Sequence, residues 1–226
     1  MGDRAAVYQQ VIIVRDSNCP SWSKKPMPES IKSKFIKPKS IKSKSIKPEP
    51  TKTYNCQDQD SPSWQARQQE AVNLLVRCIK QSESAMPVIG DFGCGNCGIK
   101  RLLDESAPSD FQYYGYDIKP QSELATQIDL RHSFPSDMRF DAAVCLGLIE
   151  YMEDIRPFLS YLRENCKFVV LSYVYDSGAY DAEDIARLGW ANHFKKEEID
   201  KILKEIGFAW DDELILKQKY FLRLLY

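Results

Sequence analysis

The stretch VIGDFGCGNCG, residues 88–98, constrains the fold of this chain more than any other segment. A short apolar run leads into three glycines, Gly93, Gly95 and Gly98, in the spacing G-x-G-x-x-G. This spacing is typical of a buried strand that turns tightly into a helix, with the backbone close enough to contact a nucleotide. The segment therefore predicts a strand, a nucleotide-binding loop and a helix in that order.

Segments with the patterns of strands and helices alternate after this loop. The predicted strands are residues 88–92, 111–118, a short one that ends near Asp129, 140–146 and 167–173. The predicted helices are residues 99–104, 155–165 and 196–206, together with an earlier helix capped by Ser63. Two last strands, residues 209–216 and 219–225, are joined by a tight turn and must therefore be antiparallel.

These elements predict an α/β fold, in which a doubly wound, mostly parallel seven-stranded sheet ends in an antiparallel C-terminal strand pair. That strand pair separates the chain from a plain dinucleotide-binding unit. Only ten residues lie between Ile118 and Asp129, so the helix between the second and third strands is predicted to be short or missing. The connection at residues 175–192 is long enough to form a lid.

The N-terminal segment, residues 1–60, differs from the rest in charge and complexity. Residues 1–54 contain 12 lysines and arginines against 4 acidic residues, whereas residues 55–226 contain 19 against 28. Residues 31–50 repeat Ile-Lys-(Ser/Pro)-Lys-x, a five-residue period that suits neither a helix nor a strand. We therefore expect a disordered basic tail before a single domain at residues 61–226.

Localisation and metal binding are also constrained by the sequence. No apolar run reaches the roughly 18 residues of a membrane-spanning helix, and no signal peptide is recognisable, so the chain is expected to be cytoplasmic. The seven cysteines are expected to be free thiols. Cys94 and Cys97 form C-x-x-C inside the glycine loop, but no second ligand pair follows at the spacing of a zinc site, so no metal is predicted.

Asp91, two residues before Gly93, discriminates between possible nucleotides. A carboxylate at the end of the first strand would repel a pyrophosphate in a low-dielectric crevice. It would attract a ligand with an ammonium group and a sulfonium, and S-adenosylmethionine (SAM) has both and no phosphate. Asp117, at the end of the second strand, can accept hydrogen bonds from ribose hydroxyls of either nucleotide. Asp91 therefore favours SAM as the cofactor.

Five stretches, in order, resemble the class I SAM-dependent methyltransferases. They are VIGDFGCGNCG, YYGYDI, FDAAVCLGLIEYMED, KFVVLSY and the terminal pair AWDDELIL and QKYFLRLL, and the resemblance covers residues 64–226. The segment RLGWANHFKKEEIDKILKEIGF is also similar to a bacterial subgroup with Gly-Trp-x-Asn-His before its last helix. That similarity implies methylation of a small molecule or a surface polysaccharide.

The resemblance implies that eight residues near the ends of the first four strands bind SAM. They are Asp91, Gly93, Gly95, Gly98, Asp117, Asp129, Leu146 and Gly147. By the family's pattern, Asp91 and the glycine loop would face the methionine end of SAM, and Asp117 would hold its ribose. Asp129 would contact adenine, and Leu146 and Gly147 would line the floor of the cofactor site.

Two residues are candidates for catalysis. His193 lies in the connection before the last helix, which in this fold opens over the methyl donor, and an imidazole with a pKa of about 6.5 suits a general base. The alternative is that His193 packs beside Trp190 or caps the following helix. Tyr151 follows the fourth strand and could orient an acceptor by a hydrogen bond, or could pack on the sheet edge.

Three functions are compatible with the sequence. SAM-dependent methyl transfer to a small-molecule or glycan acceptor, by in-line displacement, agrees best with these residues. A nucleic-acid methyltransferase would use the basic tail, but the remaining domain is acidic, and LGLIEY replaces the Asn-Pro-Pro-aromatic turn of amino-group DNA methylases. The third is a non-methylating protein, either a nicotinamide oxidoreductase or a non-catalytic nucleotide-binding partner subunit; Asp91 and the intact glycines argue against both.

Overall fold

A computed structural model of the chain describes residues 61–108, 110–216 and 220–226. The predicted N-terminal tail and the predicted turn between the last two strands lie outside the described residues. Within the described ranges, no helix combines the length and apolar character that crossing a membrane would require.

The described residues form five α-helices, seven β-strands and a short 3₁₀ helix at Ile149–Tyr151. The helices are α1 (Pro62–Gln81), α2 (Gly98–Ser106), α3 (Arg156–Asn165), α4 (Ala182–Leu188) and α5 (Lys196–Ile206). The strands are β1 (Val88–Phe92), β2 (Gln112–Asp117), β3 (Ala125–Gln127), β4 (Phe140–Leu146), β5 (Cys166–Val174), β6 (Trp210–Leu216) and β7 (Tyr220–Leu225).

The seven strands form one sheet in the order β3-β2-β1-β4-β5-β7-β6. The pairs among β1 to β5 are parallel, whereas β7 is antiparallel to both β5 and β6. The predicted fold class is therefore confirmed for the described residues. The chain runs outward from β1 to β3 and then returns to β4 on the other side of β1. The carboxyl ends of β1 and β4 thus form the switch point at which open α/β sheets bind ligands.

Both faces of the sheet are covered by helices, with α1 and α2 on one side and α3 and α5 on the other. Strand β4 is buried on both faces: Val144 packs in the cluster with α1, and its neighbour Cys145 packs in the cluster with α3. This double burial explains why residues 142–146 of β4 form a continuous apolar run without the alternation of a half-exposed strand.

Several predicted bounds agree with the structure, and the start of α1 does not. Strands β1 and β4 and helix α5 have the predicted limits, and residues 118–124 between β2 and β3 contain no helix. The cap of α1 is Ser61, whose Oγ accepts a hydrogen bond from the backbone N–H of Trp64 at 3.3 Å, and the predicted cap at Ser63 is wrong. Pro62 explains the difference, because proline prefers the first helical position and leaves the cap to the preceding residue.

The predicted lid, residues 175–192, contains helix α4, which the sequence analysis missed. Asp181 caps this helix by accepting a hydrogen bond from the N–H of Asp184 at 2.8 Å, and Gly189, with φ 72°, ends it. None of the helical residues is buried. The helix therefore depends on its caps rather than on a buried apolar face.

A charged side chain, Arg223 of β7, is fully buried where α5 meets the last two strands. Its Nη1 atom lies 2.6 Å from Oδ1 of Asp200 in α5, and its Nε donates to Oε2 of Glu213 in β6 at 2.5 Å. The guanidinium carbon lies 4.0 Å from the ring centre of Phe221 and 4.4 Å from that of Trp210. Arg223 thus joins α5 to the antiparallel strand pair by ion pairs and cation–π contacts.

Candidate functional site

The glycine loop connects β1 to α2 at the switch point of the sheet. Gly93 and Gly95 have φ angles of 78° and 52°, which glycine adopts without steric cost. The N–H of Gly93 donates to the carbonyl oxygen of Tyr116 in β2 at 2.7 Å and holds the loop against that strand. A Cβ atom at Gly93 would lie 3.3 Å from Cβ of Leu148. The loop after β4 therefore approaches the glycine loop about as closely as glycine allows.

An open cleft lies beside the glycine loop, and the empty space of about 340 Å³ within it includes open solvent. Ten residues line it: Gly93, Asp117, Ile118, Ile128, Asp129, Leu130, Arg131, Leu148, Tyr151 and Met152. Four of the predicted site residues border this one cleft. The other six were missed by the sequence analysis, and they come from the segments directly after β2, β3 and β4. Their position after strand ends is the signal that could have found them, because those ends meet at one edge of the sheet.

Asp91 lies behind the glycine loop and is 3% exposed. Tyr113 of β2 donates its hydroxyl proton to Oδ2 of Asp91 at 2.6 Å, a partner that the sequence analysis did not identify. Burial raises the pKa of Asp91 to about 7; the hydrogen bond from Tyr113 opposes this shift, and the negative charge of Asp117 adds to it. A positive charge placed beside this carboxyl group would stabilise its ionised form.

Asp117 ends β2 and faces the cleft with a carboxylate that also fixes the glycine loop. Its Oδ2 accepts a hydrogen bond from the N–H of Gly95 at 2.9 Å, and its Oδ1 accepts one from the N–H of Lys119 at 2.8 Å. A carboxylate has about four lone-pair sites, so both oxygens retain the capacity to accept from the hydroxyls of a ligand.

Asp129 lies at another part of the cleft wall, two residues beyond the end of β3 at Gln127 rather than at the strand end as predicted. Arg131 donates to its two oxygens, from Nε to Oδ1 at 2.8 Å and from Nη2 to Oδ2 at 2.7 Å. These hydrogen bonds lower the pKa of Asp129 against the opposing effect of partial burial. The side chain is therefore an ionised hydrogen-bond acceptor at neutral pH.

The two predicted catalytic residues occupy different places. Tyr151 lines the cleft from the 3₁₀ helix after β4. His193 is not among the cleft residues: its ring lies 5.4 Å from that of Trp190 and 6.0 Å from that of Tyr180, centre to centre, in the connection that contains α4. The Nε2 atom of His193 is buried and has no hydrogen-bond partner in the described residues. The packing beside Trp190 that the sequence analysis considered is thus present.

Gly98, Leu146 and Gly147 lie on the α1 side of the site rather than in the cleft lining. Gly98 begins α2, and a Cβ atom there would come within 2.7 Å of Nε2 of Gln68 in α1. Leu146 is buried in the core cluster beneath the same helix. Gly147 has φ 60°, and its N–H donates to Oγ of Ser172 at 3.1 Å. These residues shape the approach of α1 to the two loops.

The C-x-x-C residues of the loop are buried free thiols. Burial raises the pKa of Cys94 well above its ordinary range, and Cys97 has φ 58° at the N-cap of α2. Among the described residues, no group of three or more His, Cys, Asp and Glu side chains is arranged to hold a metal ion.

The order of the seven strands, with β7 inserted antiparallel between β5 and β6, defines the class of fold. It is the class I SAM-dependent methyltransferase fold, and comparisons with solved structures support this assignment. No protein-family profile matches the sequence. No curated protein matches it significantly.

Three solved structures illustrate the similarity. CurJ carbon methyltransferase aligns with a TM-score of 0.60 and 13% identity over 75% of this chain and 56% of that chain. A second structure is that of Burkholderia thailandensis 1,6-didemethyltoxoflavin-N1-methyltransferase with bound 1,6-didemethyltoxoflavin and S-adenosylhomocysteine (SAH). It aligns with a TM-score of 0.56 and 14% identity over 76% of this chain and 82% of that chain. Magnesium protoporphyrin IX methyltransferase from Synechocystis PCC 6803, with bound SAH, aligns with a TM-score of 0.51 and 21% identity over 72% of this chain and 83% of that chain. This chain thus spans just over half of the CurJ structure.

Proposed function

We propose that this chain is a SAM-dependent methyltransferase that acts on a small-molecule or glycan acceptor. The observation that carries the proposal is the buried carboxyl group of Asp91 directly behind the glycine loop. A pyrophosphate beside it would meet a like charge in a low-dielectric environment, whereas the cationic methionine end of SAM would stabilise the ionised carboxylate. Bound SAM supplies an electrophilic methyl group on a sulfonium.

The residues present fit such a cofactor in their chemistry. Asp117 would accept hydrogen bonds from the ribose hydroxyls, and Asp129 would accept one from the amino group of adenine. The apolar side chains of Ile118 and Ile128 line the same cleft and suit the faces of an adenine ring. Asp91, with the loop glycines Gly93, Gly95 and Gly98, would face the methionine end, next to Leu146 and Gly147.

Tyr151 and His193 are the proposed catalytic residues. The tyrosine lines the cleft and would orient the acceptor by a hydrogen bond. The imidazole would accept a proton where the acceptor has to lose one. The main work of the chain would be to position the acceptor in line with the methyl group and to exclude water.

The charge of the domain supports a small-molecule or glycan acceptor. We assign the methyltransferase domain to residues 61–226, with the basic segment 1–60 outside it. Residues 55–226 carry 28 acidic against 19 basic side chains, a balance that disfavours a phosphate backbone. The toxoflavin and porphyrin enzymes to which the fold is similar act on small ring systems, as their names state, and this agrees with a small acceptor.

Calorimetric titration with SAM, SAH and NAD tests the proposal. The wild-type protein is expected to bind SAM and SAH but not NAD. The Asp117→Ala variant should bind SAH about 100-fold more weakly, because hydrogen bonds to a charged acceptor are lost. Glu123→Ala, an exposed carboxylate between β2 and β3, is the control and should bind normally. Binding of NAD in place of SAH would contradict the proposal, as would binding of no nucleotide.

The affinity for SAH is expected to depend on pH through Asp91. Its pKa of about 7 means that the group must lose a proton to pair with the ammonium group of the ligand. The affinity should therefore rise about tenfold per pH unit from pH 5 to 7 and level off above pH 7. The Glu150→Gln variant should keep this slope, although Glu150 is also buried with a pKa raised to about 6. A flat wild-type profile would exclude Asp91 as the ammonium partner.

A further inference from the structure

The connection that contains α4 is joined to the 3₁₀ helix after β4 by one side chain, that of Asn192. Its Nδ2 donates to the carbonyl oxygen of Ile149 at 2.6 Å and to that of Met152 at 2.7 Å. Ile149 is the first residue of the 3₁₀ helix, and Met152 directly follows its last. Asn192 therefore holds both ends of the short helix that carries Tyr151.

The amide of Asn192 is itself fixed by Tyr173, a fully buried residue near the carboxyl end of β5. The hydroxyl of Tyr173 donates to Oδ1 of Asn192 at 2.7 Å, and its oxygen accepts from the N–H of Phe194 at 2.6 Å. Both the nitrogen and the oxygen of the amide are thus engaged, and only one orientation of the amide satisfies all of these partners.

The backbone is anchored on both sides of His193. Before it, the N–H groups of Ala191 and Asn192 both donate to the carbonyl oxygen of Glu150, at 2.8 and 3.2 Å. After it, the N–H of Phe194 donates to the hydroxyl described above. The segment that carries His193 is therefore tied to the 3₁₀ helix and to β5 at the same place.

We propose that Asn192 is a positioning residue that joins the segments of the two proposed catalytic residues, Tyr151 and His193. This inference rests on the proposed function. Tyr151 and Met152 line the cleft in which that function places SAM. Without Asn192, the 3₁₀ helix would keep its place in the cleft wall in only a fraction of the molecules, and the apparent affinity for the cofactor falls with that fraction.

The alternative is that Asn192 only stabilises the fold, and Asn165 provides the matched control for this role. Its Nδ2 donates to the carbonyl oxygen of Tyr161 at 2.8 Å, and its Oδ1 accepts from Nη1 of Arg139 at 2.8 Å. Asn165 is half-buried, as is Asn192. It directly precedes β5, at the amino end of a parallel strand, whereas the cleft lies beyond the carboxyl ends.

The test is calorimetric titration of the full-length protein with SAH, well below the thermal midpoint of each variant. Asn192→Ala should bind SAH about tenfold more weakly than the wild-type protein, because two hydrogen bonds no longer hold the cleft wall in place. Asn165→Ala should lower the thermal midpoint by a similar amount and bind SAH normally. Wild-type affinity in Asn192→Ala would overturn the proposal. An equal weakening in Asn165→Ala would also overturn it, because the loss would then follow general destabilisation.

Tyr173→Phe gives a second, milder test. Phenylalanine keeps the packing of the ring but removes the hydroxyl that orients Asn192, so SAH should bind about threefold more weakly. Most of this effect should be absent when Asn192 is already alanine, because the two side chains act through one contact. Fully additive effects would overturn the proposal. If Asn192→Ala does not fold, an unchanged affinity in Tyr173→Phe would overturn it as well.

The link to His193 has a separate readout in amide hydrogen exchange. Saturating SAH should slow exchange in residues 191–194 of the wild-type protein about tenfold, because the ligand binds the arrangement in which the cleft wall is in place. The slowing should be much smaller in Asn192→Ala. Equal slowing in the variant and the wild-type protein would overturn the role of Asn192 in joining the two segments.

The outcomes separate this inference from the proposed function. A wild-type protein that does not bind SAH would overturn both. A wild-type protein that binds SAH, together with an Asn192→Ala variant that binds it equally well, would overturn only the assignment of Asn192.

Discussion

The Asp91→Asn variant is expected to be more stable than the wild-type protein at pH 8, by on the order of 4 kcal/mol, because an asparagine removes the cost of burying a charge. Asparagine keeps the size of the side chain and an oxygen that can accept the hydrogen bond from Tyr113. The same variant should bind SAH about 100-fold more weakly, because its ammonium group loses a charged partner. Asp91 would thus lower the stability of the folded protein at pH 8 while it strengthens the binding of SAH.

The stability difference should depend on pH in a defined direction. In the folded protein the pKa of Asp91 is raised from 3.8 to about 7, so the folded state loses stability as the pH rises between these values. Asparagine does not ionise and is unaffected. The advantage of the variant should therefore grow by about 3 kcal/mol between pH 5 and pH 8, measured by urea unfolding at both values. An advantage that does not change with pH would contradict the raised pKa.

Asp141→Asn is the matched control, because the same substitution should have the opposite effect there. Burial works against ionisation of Asp141, but hydrogen bonds from Lys167 and from the N–H of Val88 lower its pKa overall. A carboxyl group whose pKa is lowered in the folded state stabilises the protein at neutral pH, and this stabilisation is lost in acid. Asp141→Asn should therefore destabilise the protein at pH 8 and less so near pH 3.

The Arg223→Met variant is expected to lower the free energy of unfolding by about 3 kcal/mol, and the thermal midpoint by about 10 °C. Methionine fills the buried volume but leaves Asp200 and Glu213 without their guanidinium partner. The side chains of Asp200 and Glu213 are 22% and 24% exposed, so water can solvate part of their charge. The expected loss of stability is therefore at the lower end of the range for breaking a buried ion pair. Differential scanning calorimetry would measure the change.

Arg187→Met separates the effect of burial from that of losing any ion pair. Arg187 pairs with Asp184 at 2.7 Å on the surface of α4, where its side chain is 65% exposed. An exposed pair contributes little to stability, so the thermal midpoint should not change. Equal midpoints for Arg223→Met and Arg187→Met would show that the buried network does not stabilise the C-terminal strands.

The elements that the sequence predicted well are those in which local pattern and final burial agree. Strand β4 is apolar from Ala142 to Leu146 because both of its faces are covered there, and α5 has an apolar face that ends at Gly207 with φ 98°. Helix α4 has only seven residues and buries none of them, so its few apolar residues gave too short a pattern to distinguish it from a loop. The cap of α1 could have been predicted at Ser61, because Pro62 marks the first helical position.

The sequence by itself determined the order of the elements, the glycine loop and the carboxylates at the ends of the first two strands. Only the tertiary structure decided which partners those groups have. Asp91 meets Tyr113, and Asp117 meets the N–H of Gly95, across two adjacent strands. Arg67 reaches Gly147 from a helix about 80 residues earlier in the chain. Charge, burial and pKa at the site arise from such contacts, and a linear pattern specifies residue types without specifying which distant residues they meet.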